Sequence, residues 1–357
     1  MKIGIILHPY GEVKPAGLAR TIFEFTNGFL TIDTANEYVI FLKNAPQKMP
    51  EFPGKNWRVE VLGGGMFWLE NLRKFKDIDV CIFNTPVVPI WYKPKRTIVI
   101  ALDFAYYYLS GKRVKTWILR AITFLYHKFS LWRADRIIAI SQATKDDVVK
   151  LFGVPSQKIT VVHCGFKKIC DVPEMPVILP QKFFLFVGII KERKNVFNIV
   201  KAFELFQKNI SGYHLVIGGN PTGTYFDMVK QYVAEHDLSK KVLFIGHLND
   251  GQLSHIYRRA EALVFPTLIE GFGFPVLEAM HCGTPVITSN QSSLREVGGN
   301  NSALLVDPYT PEDIAGAMAN VVQNQNERKN LVENGYKQIE RFSWNKAAEE
   351  FLRIINL

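Results

Sequence analysis

Apolar residues fall along this chain in short runs rich in Val, Ile and Phe, separated by longer stretches where they recur every three or four positions. The runs predict strands at 3–7 (IGIIL), 38–42 (YVIFL), 58–61, 79–83, 97–102 (TIVIAL), 136–140 and 159–163. A second series is predicted at 183–187 (FFLFV), 214–217, 242–245, 262–265, 285–288 and 303–306. Strands that are apolar at nearly every position suit a parallel sheet covered on both faces, and the intervening helical periods supply the cover. Between the two series, residues 170–182 hold three prolines and no periodicity, which reads as a linker. The pattern predicts two doubly wound, Rossmann-like α/β domains, 1–170 and 171–340, with a cleft between them. Helices are expected at 312–323 and 327–340, and over 341–357 another whose apolar positions (Trp344, Ala347, Ala348, Phe351, Leu352, Ile355) form one stripe.

Composition supports this division: 357 residues are too many for one ordinary core, and 48% apolar with 21% charged residues is globular. No apolar run reaches the ~18 residues of a membrane span, and Met1 leads directly into a strand with no leader pattern. Cys81, Cys164, Cys170 and Cys282 form no CxxC pair. That spacing argues against a zinc knuckle or a disulfide framework and fits a reducing cytoplasm.

Charge is unevenly placed. Residues 1–170 hold 25 Lys and Arg against 13 Asp and Glu, while the rest hold 18 against 20. Residues 93–136 carry ten cations, among them Lys112, Arg113, Arg120, Lys128 and Arg133, interleaved with Trp91, Tyr106 to Tyr108 and Trp117. Two readings stand side by side: a solvated basic face around core aromatics, or a patch for an anionic membrane surface. Nucleic acid is the weaker partner, because it would leave the chemistry of the second half without a purpose.

That chemistry is densest in ALVFPTLIEGFGFPVLEAMHCGTPVIT at 262–288. A strand ends at Phe265, a loop carries Glu270 between glycines, and Pro275 stands at the start of a helix. Gly271, Phe272, Gly273 and Phe274 bring backbone amides to that start, where an anion or sugar oxygens can be held. Glu278 follows, expected in the first helical turn, where a carboxylate either meets a ligand or only supports the helix. In VGIIKERKN, Gly188 opens the loop after a strand, and Arg193 and Lys194 precede the next helix, placed to neutralise a diphosphate. Near the start, HPYGEVKPAGLAR puts His8, Gly11 and Gly17 after the first strand without the dinucleotide GxGxxG spacing. This loop is either a ligand-binding wrap or a plain turn. No DxD dyad or ligand cluster is present, so neither a metal nor another cofactor is expected.

From Glu270 through Glu278, Gly283 and Pro285 the chain resembles the retaining glycosyltransferases of family 4, which have the GT-B fold. The likeness extends to the first glycine loop, SQATKDDV at 141–148, VVHCGF at 161–166, VGIIKERKN, the stretch 246–267 and residues 292–308. The resemblance implies that Glu270 contacts donor sugar hydroxyls near the reacting carbon and that Glu278 holds the ribose. It implies that Lys194, with Arg193 beside it, meets the diphosphate, that the 271–274 amides bind sugar and phosphate, and that Gly246, His247 and Leu248 border the base. It also implies that the last helix crosses back to the first domain. Two positions depart from the family: Ile189 stands where many members carry a cation, and Leu102 stands where many carry a histidine before the aspartate matching Asp103. Asp103 is then either a sugar contact or a helix-starting residue.

The expected activity is transfer of a hexose, with retention, from a nucleotide sugar to a saccharide or lipid-linked saccharide in surface polysaccharide assembly. GDP-mannose is the first candidate donor, with dTDP-rhamnose or a UDP-sugar behind it. The expected location is the cytoplasm or the inner face of the cell membrane. A catalytically silent protein of the same fold is the alternative that Leu102 and Ile189 suggest.

Overall fold

The computed structural model describes residues 1–10, 17–108, 114–221 and 223–356, which form two compact units. Unit 1 comprises residues 1–165 and 342–357, and unit 2 residues 166–341. The boundary expected after residue 170 therefore falls five residues earlier: Ile169 to Asp171 form a short 3₁₀ turn packed within unit 2. Gly11, Lys112 and Arg113 lie outside the described residues.

In unit 1, β1 (Lys2–Ile6), α1 (Gly17–Ile32), β2 (Glu37–Leu42), β3 (Trp57–Val61), β4 (Val80–Phe83) and β5 (Arg96–Ala101) are followed by α2 (Ala105–Tyr108) and α3 (Val114–Arg133). Then come β6 (Arg136–Ala139), α4 (Gln142–Phe152) and β7 (Ile159–Val161). The seven strands form one parallel sheet in the order β3-β2-β1-β4-β5-β6-β7. Helices on both faces bury the inner strands β1, β2, β4, β5 and β6 almost completely, which is why these read as apolar runs, while the edge strands β3 and β7 stay partly exposed.

Unit 2 repeats the plan with β8 (Phe183–Val187), α5 (Val196–Asn209), β9 (His214–Gly218), α6 (Gly223–Glu235), β10 (Val242–Gly246) and α7 (Asp250–Arg259). It continues through β11 (Ala262–Phe265), α8 (Phe274–His281), β12 (Val286–Ser289), α9 (Ser292–Gly298), β13 (Leu304–Val306), α10 (Pro311–Gln323) and α11 (Gln325–Ile339). Its six parallel strands run in the order β10-β9-β8-β11-β12-β13. In both sheets the first strand lies between the second strand of its unit and a later one, so the order reverses there. Beyond the carboxyl ends of strands at such a switch point lies a crevice that the fold itself provides for ligands.

The last helix, α12 (Trp344–Asn356), belongs to unit 1 and packs on α1. Its buried stripe sets Phe351 against Phe25 and Phe29, with ring centroids 5.8 and 5.0 Å away. Two glycines make the approach possible. A Cβ on Gly28 would lie 3.0 Å from that of Ala348, and one on Gly165 would lie 2.3 Å from the Trp344 nitrogen. Arg96 donates to the Ile355 carbonyl at 2.9 Å, so the helix end is tied to the sheet.

The cysteines correct the sequence reading. Cys170 and Cys282, 112 residues apart, are joined in a disulfide that fastens the 3₁₀ turn to the end of α8. Cys81 and Cys164 are buried free thiols. His281 completes a group in which its ring nitrogen and the two sulfurs lie within 4.8 Å, although the sulfurs are bonded to each other.

Candidate functional site

At the switch point of unit 2 the loop after β8 meets the loop after β11. Gly188 leaves β8 with φ +151° and donates to the Gly218 carbonyl at 2.9 Å. Arg193 and Lys194 sit in a 3₁₀ turn that ends at Asn195, whose φ of +61° is the left-handed conformation asparagine tolerates. Asn195 is buried, and its amide donates to the carbonyls of Pro266 at 2.9 Å and Pro308 at 2.6 Å. It thereby ties the basic turn to the loops after β11 and β13. Leu268 donates to the Arg193 carbonyl at 2.9 Å, a second link between the loops.

This fixes the charged groups. The Glu270 carboxylate is paired with the Lys194 ammonium through Oε1, and its Oε2 lies 3.5 Å from the Arg193 guanidinium. Arg193 also donates to the Ile269 carbonyl at 3.2 Å, and the Lys194 ammonium stands 5.0 Å over the Phe265 ring. The Glu270 backbone is held from the other side: its N–H donates to Ser292 Oγ at 3.3 Å, while Ser292 and Ser293 donate to its carbonyl at 2.7 and 2.8 Å.

Gly273 precedes α8 at φ +111°, and a Cβ there would come within 2.5 Å of Leu294. Only glycine fits this start, with Pro275 in the first turn behind it. Glu278 is the fifth residue of α8 and so lies in the second turn, not the first as the sequence suggested. It is buried, with Tyr257 Oη 3.4 Å away. Burial, with the Glu278 carboxylate beside it, pushes the Tyr257 hydroxyl well above its usual pKa, so it stays protonated and can donate.

Gly246 ends β10 at φ +71° and accepts from Gly219 N–H at 2.6 Å, next to the β8 loop. Leu248 is buried under it and His247 is exposed. Unit 2 thus brings together Gly188, Arg193, Lys194, Glu270 and the Gly271–Phe274 segment. Asn195, Ser292 and Ser293 escaped the sequence reading because their work is to hold backbone.

Gly17 and Asp103 belong to unit 1. Gly17 is the first residue of α1. Asp103 is exposed, and its Oδ1 accepts from Ala105 N–H at 3.3 Å, as a residue that starts α2 would. It also lines a cavity of about 510 Å³ at the switch point of unit 1, beyond β1, β4 and β5, with His8, Trp68, Asn84, Leu102 and His127. Ile189, the other departure, is 45% exposed and contributes no charge to the loop after β8.

Two parallel doubly wound units, each with a built switch point, define the GT-B class. The model of Glycosyl transferases group 1 matches residues 174–338, and that of Glycosyltransferase Family 4 matches residues 37–167. The chain belongs to the family 4 glycosyltransferases. It is 29% identical over 238 residues to an O-antigen chain mannosyltransferase B of Escherichia coli, covering 64% of this chain and 62% of that protein. The chain thus spans about three fifths of that relative's length. Among solved structures, a sucrose-phosphate synthase from Thermosynechococcus elongatus superposes with a TM-score of 0.76 at 19% identity, over 99% of this chain and 98% of the other. HepE of Anabaena, in complex with UDP and glucose, gives 0.76 at 14% identity over 100% and 99%.

Proposed function

We propose that the protein is a retaining hexosyltransferase that moves mannose from GDP-mannose onto a saccharide or lipid-linked saccharide in surface polysaccharide assembly. The observation that carries this reading is the cluster of Arg193, Lys194 and Glu270 at the switch point of unit 2. Two cations and one carboxylate suit a ligand that carries a diphosphate next to hydroxyl groups. Similarity to an O-antigen mannosyltransferase supports the sugar, and the UDP and glucose bound by HepE support a nucleotide sugar as the donor class.

In this reading, Lys194 and Arg193 exchange part of their pairing with Glu270 for the diphosphate and stabilise it as it leaves. The freed Glu270 carboxylate accepts from donor sugar hydroxyls, and Glu278 accepts from the ribose. The acceptor hydroxyl attacks the anomeric carbon on the face the phosphate leaves. Its proton passes to the departing phosphate oxygen, so the configuration is retained. Side chains and amides carry the phosphate charge, and no metal is assigned a part.

Calorimetric titration with GDP-mannose, dTDP-rhamnose, UDP-glucose and UDP-N-acetylglucosamine tests the donor, and a radiolabelled transfer assay tests the chemistry. Selective binding of GDP-mannose, lost in Lys194→Ala and Glu278→Ala, is the expected result. Binding of another donor would move the sugar assignment. Binding of none would overturn the enzyme reading in favour of a silent protein of the same fold.

A further inference from the structure

The unit 1 cavity has two kinds of wall. Ile6, Leu69, Val87 and Leu102 make it apolar, Trp68 adds a broad ring, and Asn84, Asp103 and His127 bring polar groups to it. A hexose ring presents the same mixture, with C–H faces that lie on apolar and aromatic surface and hydroxyls that need fixed hydrogen-bonding partners.

His127 stands on α3, in the middle of that helix, where its side chain would read as ordinary core. Its environment makes it more specific. Tyr107 Oη lies 2.9 Å from Nδ1, and the rings of Phe104, Tyr107 and Phe152 meet the imidazole edge-on at 6.4, 5.9 and 6.5 Å. These contacts fix the ring plane and occupy one nitrogen. Among the described residues Nε2 has no hydrogen-bond partner, while the side chain lines the cavity. Burial pushes its pKa down to about 4, so near neutrality the imidazole is uncharged, which suits a hydroxyl better than a phosphate.

We propose that His127, oriented by Tyr107, is the hydrogen-bonding residue of a hexose-binding cavity in unit 1, contacting a sugar hydroxyl through Nε2. The class of ligand rests on the transferase reading, and the sugar belongs either to the donor or to the acceptor. Position 127 would then supply from a helix the imidazole that Leu102 does not supply from the loop after β5.

The test is a ¹H–¹⁵N imidazole spectrum of the full chain carrying ¹⁵N-histidine, with the His127 signals assigned by their loss in His127→Gln. The additions are GDP and UDP alone, then the four nucleotide sugars, then the methyl α-glycosides of mannose, rhamnose, glucose and N-acetylglucosamine. A shift of the His127 Nε2 signal with a methyl glycoside identifies an acceptor site. A shift with an intact nucleotide sugar, absent with its nucleotide, identifies the donor sugar. In Tyr107→Phe either shift should need about tenfold more ligand, because one hydrogen bond no longer orients the ring. A His127 signal that none of the additions moves overturns the proposal. A protein that binds no nucleotide yet still shows the glycoside shift would keep the cavity and lose the transferase reading.

Discussion

Asn195 shows how much of the site rests on a residue that touches no charge. Its amide spans two carbonyls from loops that follow different strands, and its left-handed turn sets the direction of Arg193 and Lys194. Asn195→Ala leaves both carbonyls short of a donor in a buried place and adds a Cβ-bearing residue without asparagine's tolerance of that turn. A loss of about 1–3 kcal/mol in the stability of unit 2 is expected, measured by chemical denaturation, with nucleotide-sugar affinity falling alongside. Asn195→Gly keeps the turn and loses the bridges, so a similar loss there assigns the effect to the hydrogen bonds. His127 gives a pH prediction. Its pKa is near 6.5 unfolded and about 4 folded, so between these values the unfolded chain binds a proton that the folded chain does not. Its contribution is therefore full above about pH 6.5 and is lost as the pH falls toward 4. His281 is lowered by burial as well and titrates in the same direction, so the measurement is a difference. His127→Gln should lose less stability than the native chain between pH 6.5 and 4.5, followed by denaturant midpoints at each pH. Equal slopes in the two proteins would show that the imidazole is solvated.

At the scale of elements, the inner strands are legible because parallel strands covered on both faces must be apolar at nearly every position, whereas the edge strand β3 (WRVEV) keeps Arg58 and Glu60 and is covered only in part. The helices after residue 310 were legible from their period, and α12 from its stripe of Ala347, Ala348, Phe351 and Ile355. The loops around Glu270 and Lys194 stood out because glycine, proline and charge crowd together at strand ends. What the pattern along the chain does not carry is pairing across distance. Nothing near Cys170 marks Cys282 as its partner, since 112 residues and four strands, β8 to β11, lie between them. Glu278 falls in the second turn because α8 begins at Phe274, one residue before Pro275, behind Gly273, whose left-handed backbone has no room for a Cβ beside Leu294. His127 was missed because a histidine within an apolar helix has no local mark, and its meaning comes from a cavity that three strand ends enclose. The α1–α12 contact offers a direct check of packing. Phe351→Ala removes a fully buried ring from between Phe25 and Phe29, and should destabilise unit 1 by about 3–5 kcal/mol. Thermal unfolding followed near 290 nm through the six tryptophans, all of which lie in unit 1 and among which Trp344 packs on Phe25, would report it. A midpoint unchanged from the native protein would mean that α12 contributes no stability to this unit.

Across the whole molecule, charge and exposed apolar surface gather in the same half. The first 170 residues hold the cationic excess, and within them α3 exposes Trp117, Ile118, Ile122, Leu125 and Trp132 to solvent. No helix among the described residues is long and apolar enough to cross a membrane. A helix with this much uncovered apolar surface beside Lys128, Arg133 and Arg136 has the composition of one that lies in a bilayer interface. Lipid suits it better than a second copy of the chain, which would bring like charges together, and it agrees with a lipid-linked acceptor. Co-sedimentation with vesicles separates the two contributions. Vesicles containing anionic lipid should bind the protein at low salt, and binding should weaken but persist at 0.5 M salt, because the apolar face remains inserted when charge is screened, the Debye length then being about 4 Å. Trp117→Ser with Leu125→Ser should abolish the part that survives salt and leave nucleotide-sugar affinity unchanged, since both substitutions lie in unit 1 and the nucleotide is assigned to unit 2. Binding that disappears entirely with salt in the native protein would reduce α3 to a basic face. Equal binding to neutral vesicles would instead make the cations incidental and leave the tryptophans and leucine as the anchor.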